Sequence, residues 1–323
     1  MKKMLCVILT AVMVFSLFAG CSNNSKSSGY RIAIVQQMDH ASLDEIRVAI
    51  EEELNAQADA AGVPIEIKKF NGQNDATTLN QIGTQVVSDE YDIIIPIATL
   101  AAQCMVNAAD GTGIPVVYAA VSDPESAGLT GFDFVTGTSD ALNTQFILDM
   151  MFAVNPDIQS VGLLYSNSEP NSEMPIAQAV QILNEKGIEV IEKTGNTNDE
   201  IVSAASSLVG RVDAVFTPTD NVVMGAAGAV AEILNDGGIP FYTGADSFVA
   251  AGSFTTCGVN YTELGAKTGE IAFNILQTGD IPNYHVMEGG IITVNTDAAA
   301  QLGLDYSVFS SMAGTVKEVV TGE

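Results

Sequence analysis

The chain has no tryptophan and little positive charge: 12 lysines and arginines stand against 39 aspartates and glutamates, for a net charge of -27. A surface this acidic repels nucleic acid and anionic lipid, so neither is expected as a partner. Without tryptophan there is no indole on which a sugar could stack. Arg31, Arg47 and Arg211 are the only arginines, and none falls just after a predicted strand, so no guanidinium clamp awaits a ligand carboxylate. The two histidines, His40 and His285, are far apart and no C-x-x-C occurs, which leaves no metal-ligand spacing. Also missing are G-x-S-x-G, a Walker loop and a G-x-G-x-x-G after the first strand. No catalytic residue, metal or cofactor is therefore expected, and an enzyme on the same scaffold is the weaker alternative.

What is present begins at the N-terminus. Lys2 and Lys3 precede an apolar run from Met4 to Ala19, and Ala19-Gly20-Cys21 follows. This layout reads as an export signal over residues 1–20. A cysteine just after Ala-Gly resembles a bacterial lipobox, with Phe18 standing where leucine is commoner. The resemblance makes Cys21 the lipid anchor and residues 21–29 a polar tether. Of the other cysteines Cys6 leaves with the signal. Cys104 and Cys257 lie in apolar stretches and read as separate buried residues, although export would permit a disulfide.

The remaining 300 or so residues suit two lobes of about 150 each. Short apolar runs alternate with helical patterns. Strands are expected at 31–35, 65–70, 92–95 and 114–118, with helices between them. The series repeats with strands at 160–165, 188–191, 213–216 and 239–242. Continuous apolar strands alternating with helices indicate parallel sheets covered on both faces. Asp92 to Thr99 aligns with Asp213 to Asp220, and Gly113-Ile-Pro115 with Gly238-Ile-Pro240. The expected fold is α/β: two similar doubly wound parallel-sheet lobes joined by a hinge. Ser42-x-x-Glu45 reads as a capping box opening the first helix. Val222 to Asn235 reads as one helix, and residues 308–320 as a terminal one. Glycine-rich stretches at 123–139 and 244–260, and a third near 283–290, are the expected crossings. Residues 30–122 with about 255–285 make the N-terminal lobe. About 139–250 with about 290–323 make the C-terminal lobe.

Ligands of open parallel sheets sit beyond the C-terminal ends of the strands. Residues placed there include Gln37, His40, Thr99, Ser122, Ser166, Glu169, Asn171, Asp220, Asn221 and Asp246. Capping a helix is the plainer role for any one of them, and local packing is the plainer role for His40. As a set they put hydroxyls and helix-start amides on one wall and the acids Asp220 and Asp246 on the other. That arrangement suits a zwitterionic amino acid, and a polyol also fits it. Tyr118, Tyr165, Phe216, Tyr242 and Phe248 are candidate flanking rings, though each is more often core.

The runs Ile97-Ala-Thr-Leu-Ala-Ala-Gln103, Ala119-Ala-Val-Ser-Asp-Pro124, Leu164 to Ser172, Thr217-Pro-Thr-Asp-Asn221 and Gly258 to Gly265 resemble one family. These are the substrate-binding lipoproteins of ABC importers, in the group that includes tryptophan- and tyrosine-binding proteins. The resemblance implies a type I periplasmic-binding fold that closes on one small ligand and delivers it to a membrane permease. It carries Thr99, Ser122, Ser166, Asn167, Asn171, Asp220 and Asn221 into the ligand site, and it leans toward an aromatic amino acid. Gln37, His40 and Asp246 come from the strand-end reading alone. The chain is then expected as a monomer, lipid-anchored on the extracytoplasmic face of the cell membrane. A receptor for a sugar- or nucleoside-like ligand, or a sensory receptor without transport, is the alternative.

Overall fold

The computed structural model describes residues 29–322. The expected export signal, the expected anchor Cys21 and residues 22–28 of the expected tether lie outside the described residues.

The N-terminal lobe begins with β1 (Tyr30–Gln36), α1 (Ala41–Ala61), β2 (Ile65–Asn71), α2 (Ala76–Ser88), β3 (Ile93–Ile97), α3 (Thr99–Ala109), β4 (Val116–Tyr118) and β5 (Val135–Ser139). The C-terminal lobe takes α4 (Thr144–Val154), β6 (Ser160–Tyr165), α5 (Pro170–Glu185), β7 (Glu189–Thr194), α6 (Asn198–Ser206) and β8 (Ala214–Phe216). It continues through α7 (Asn221–Gly225), α8 (Ala227–Asp236), β9 (Phe241–Thr243), α9 (Asp246–Ala250) and β10 (Thr255–Gly258). The chain then returns with α10 (Tyr261–Thr278) and β11 (His285–Val286), and ends with β12 (Ile291–Asn295), α11 (Thr296–Leu302), a 3-10 turn at Ser307–Ser311 and β13 (Val316–Val319).

The two sheets have the strand orders β2-β1-β3-β4-β5-β11 and β7-β6-β8-β9-β10-β12-β13. Every pairing is parallel except β10 with β12. The first five strands of each lobe thus repeat one doubly wound order, with its switch point between the first and third strands. Strands such as Ile93-Ile-Ile-Pro-Ile97 are buried along their whole length, because helices cover both faces. One apolar cluster runs from Ile32, Ile34 and Ile93 of the N-terminal sheet through Leu43 and Tyr261 to Val223, Phe248 and Val215 of the other lobe.

Gly265 and Gly269 bring α10 against α1. A Cβ on Gly265 would lie 2.6 Å from the Ile46 carbonyl oxygen, and one on Gly269 would lie 2.9 Å from Glu53 Cβ. Only hydrogen at these two positions lets the helices approach, and the approach fixes Tyr261 at the start of α10.

Several expectations are corrected. Ser42 does not cap α1: the helix starts at Ala41 behind His40, which makes no side-chain cap bond. Ser42 Oγ instead meets Ser247 Oγ across the cleft, and Glu45 accepts from Thr262 Oγ1. The 222–235 helix is two helices, broken at Ala226. The terminal 308–320 segment is a 3-10 turn and a strand, because its Val-x-x-Val end pairs with β12. The stretch 123–139 is not wholly a crossing, since β5 completes the N-terminal sheet. Residues 255–258 form β10 of the C-terminal sheet, not part of the N-terminal lobe. The chain passes between sheets after Ser139, between Gly258 and Tyr261, and between Val286 and Ile291. Cys104 and Cys257 are free and buried.

Candidate functional site

The two switch points face each other across a closed cleft. On the N-terminal side β1 delivers Gln37 and His40, β3 delivers Ala98 and Thr99, and β4 delivers Ala120 and Ser122. Ala98 has φ 77° and ψ 163°, and Ala120 has φ 54°. Both are conformations that non-glycine residues rarely hold, and both line the cleft cavity. Strain of this kind persists where the surrounding fold needs the turn, here to start α3 at the cavity wall. Gln37 Oε1 accepts from Leu100 N at 3.2 Å and so takes one free amide of the α3 start.

On the C-terminal side Asp220 caps α7. Its carboxylate accepts from Val223 N at 2.9 Å, Ser166 N at 2.7 Å and Ser172 Oγ at 2.7 Å. Glu169 accepts from Gln37 Nε2 at 2.8 Å and Asn221 Nδ2 at 2.5 Å. Burial, and next the nearby Asp220 charge, push the Glu169 carboxyl up to about 8. Burial also raises Asp220, against the pull of its backbone donors. A third acid, Asp140, follows β5 directly. It accepts from Ser122 Oγ at 2.9 Å and Tyr261 Oη at 3.1 Å, and burial raises it too. His40 is held below its ordinary value by burial, so it adds no positive charge at neutral pH. Among the described residues no lysine or arginine lines the cavity.

Direct hydrogen bonds close the cleft. Gln37 reaches Glu169, His40 Nε2 meets Asn221 Oδ1 at 3.0 Å, and Ser122 Oγ meets Thr219 Oγ1 at 3.2 Å. The cavity left between the lobes is about 20 Å³. Three buried polar atoms on its wall have no partner among the described residues: His40 Nδ1, Thr99 Oγ1 and Asn171 Oδ1. Such atoms cost free energy unless something pairs with them.

Six of the sequence-derived candidates meet at this cavity: His40, Thr99, Ser122, Asn171, Asp220 and Asn221. Gln37 and Ser166 lie behind its wall, where Gln37 holds Glu169 and the Ser166 amide holds Asp220. Asn167 is exposed on the turn after β6. Asp246 opens α9, off the cavity wall, with Oδ1 unpartnered. Of the candidate rings only Phe248 reaches the cavity; Tyr118, Phe216 and Tyr242 are core, and Tyr165 bonds Glu192 on the outside. Asp140 and Tyr261 also line the cavity and were absent from the candidate set. The sequence signal for Asp140 was its place after a strand, hidden because Val135-Thr-Gly-Thr-Ser139 has no apolar run.

The model of the ABC transporter substrate binding protein family matches residues 31–315. The chain belongs to that family. It is 32% identical over 323 residues to a tyrosine-binding protein of Clostridioides difficile, covering 94% of this chain and 93% of that protein. A Streptococcus pneumoniae ABC domain in complex with L-Trp is 26% identical, with TM-score 0.81, covering 90% of this chain and all of that one. The ligand-free, open structure of a Clostridium difficile substrate-binding protein with adhesive properties is 31% identical over 90% of this chain and 99% of that one. Its TM-score is nevertheless only 0.66. The higher identity with the poorer superposition agrees with a closed lobe arrangement in this chain, as do the bonds across the cleft.

Proposed function

We propose that this substrate-binding protein is the extracytoplasmic, lipid-anchored receptor of an ABC importer. Acting as a monomer, it captures an aromatic amino acid between its lobes and presents the closed form to a permease. The observation that carries the reading is the charge pattern of the cleft. Asp140 and Asp220 are buried on the cavity wall, Glu169 is buried behind it, and no lysine or arginine among the described residues lines that cavity. Buried carboxylates without a counter-charge are costly, and a ligand ammonium supplies one. Opposite the C-terminal acids stand Thr99 Oγ1, Ser122 and the α3 start, donors suited to a ligand carboxylate. Leu43, Met224, Phe248 and Tyr261 supply the apolar wall. The tyrosine and tryptophan named for the relatives support an aromatic side chain.

A cavity of about 20 Å³ has room for water only, so an aromatic ring enters through lobe opening and side-chain movement. Calorimetry on the mature chain tests the reading with L-tyrosine, L-tryptophan and L-phenylalanine against myo-inositol and a nucleoside. Binding of one aromatic amino acid, with none of the polyol or nucleoside, is expected. Binding of the polyol or nucleoside alone would overturn it.

A further inference from the structure

Two buried acids line the closed cleft and a third lies behind its wall, and their surroundings are not equivalent. The Asp220 carboxylate is committed to three donors that hold α7 and the turn after β6 in place. Glu169 has one side-chain amide donor on each oxygen, and what sets it apart is that it does not reach the cavity wall. Asp140 reaches the wall and has one donor on each oxygen, both hydroxyls. A carboxylate offers about four acceptor positions, so Asp140 keeps two for another donor. One of its present donors, Ser122, also has Thr219 as a neighbour and can turn to it.

We infer that Asp140, rather than Asp220, receives the α-ammonium group of the ligand. The inference rests on the amino-acid reading of the cleft given above. Asp140 stands where the chain leaves β5 for the C-terminal lobe. Tyr261, its partner, is the first residue of α10, where the chain comes back. An ammonium on Asp140 therefore sits on two of the three crossings at once. Charge pairing there favours one hinge geometry, which links recognition of the amine to closure. A larger cavity of about 480 Å³ lies on the hinge side of this pair, walled by Leu142, Phe146, Val259 and Met312. Asp140 and Tyr261 also form part of its wall, so the pair stands between it and the cleft.

Calorimetry on the wild type and Asp140→Asn, with L-tyrosine, L-tryptophan and their desamino analogues, tests the assignment. Loss of a charge-assisted bond should weaken amino-acid binding by about 10- to 200-fold. Binding of the desamino analogue should change by less than about threefold, because no ammonium is there to lose its partner. Undiminished amino-acid binding, or an equal loss for both ligands, would overturn the assignment. Should the variant not fold, a crystal structure of the wild-type complex decides. The ligand nitrogen is expected at about 2.7–3.2 Å from an Asp140 oxygen, and finding it on Asp220 or Glu169 refutes the role. A wild type that binds no amino acid sinks the amino-acid reading and this role together. A wild type that binds while Asp140→Asn is unaffected sinks this role alone.

Discussion

Asp220→Ala distinguishes an acid that organises the cleft wall from one that holds the ligand. The carboxylate has three protein donors and is fully buried. Losing the cap of α7 costs about 1 kcal/mol. Leaving the Ser166 amide and the Ser172 hydroxyl without an acceptor costs about 1–3 kcal/mol each. Removing a buried acid that lacks a cation gives part of this back. A net loss of about 2–4 kcal/mol follows, which for a lobe of about 150 residues lowers the melting temperature by roughly 5–15 °C. Binding should suffer less, by under about tenfold, since the change reaches the cavity only through the set of Asn221 and Met224 on α7 and of Asn171 beside Ser172. Thermal melting and calorimetry on the same preparation give both numbers. An unchanged melting point with a hundredfold loss of affinity would refute the capping argument and return Asp220 to the ligand.

Two further outcomes follow from the structure. The folded Glu169 carboxyl lies near 8, against an ordinary value of 4.5. Between those values the folded chain holds a proton that the unfolded chain has lost. Its contribution to stability is therefore full below about pH 4.5 and falls as pH rises to about 8, by at most about 1.4 kcal/mol per pH unit. Asp140 and Asp220 act in the same direction. Urea titrations of ligand-free protein should show the decline, and Glu169→Gln should flatten it; a rise in stability over that window would contradict the burial of these acids. Gly137→Ala places a Cβ 2.1 Å from the Tyr118 carbonyl oxygen, which the β4–β5 pairing cannot relieve. It should cost about 3 kcal/mol or more, and a melting point within a few degrees of wild type would show that β5 can shift.

The architecture was legible because the buried parallel strands are apolar runs at helix-and-strand spacing. Ile93 to Ile97 and Val161 to Leu164 lie inside strands on any reading of hydrophobicity. What escaped were elements whose identity depends on partners. β5 is Val-Thr-Gly-Thr-Ser, and only its place between β4 and β11 makes it a strand. β13 takes its form from pairing with β12, whereas its valines match a helical spacing equally well. Ser42 and Glu45 have the residues of a capping box, yet their side chains find better partners 205 and 217 positions away. The site divides on the same line. The place of Thr99, Ser122 and Asp220 on the cavity wall was legible because strand ends at a switch point face the cleft in any such sheet. Glu169 was visible as a strand-end acid, but its burial between Gln37 and Asn221 is a tertiary fact. Asp140 was hidden with β5, and Tyr261 through its dependence on the close α1–α10 approach.

The bonds that close the cleft have a common character. Gln37 with Glu169, His40 with Asn221, Ser122 with Thr219 and Ser42 with Ser247 all join an amide, imidazole or hydroxyl of one lobe to a polar group of the other. None is an ion pair. Net of the water each group gives up, such bonds contribute about 1 kcal/mol apiece. Four of them offset only part of the cost of ordering the three crossings and of setting Asp140, Glu169 and Asp220 in one dry cleft. The direct contacts across the cleft are thus uncharged pairs, each individually weak. Under the proposed function, a ligand bringing one positive and one negative group would supply the ionic contacts that these bonds lack. A receptor of the proposed kind would then owe its closed form to the ligand as well as to the protein.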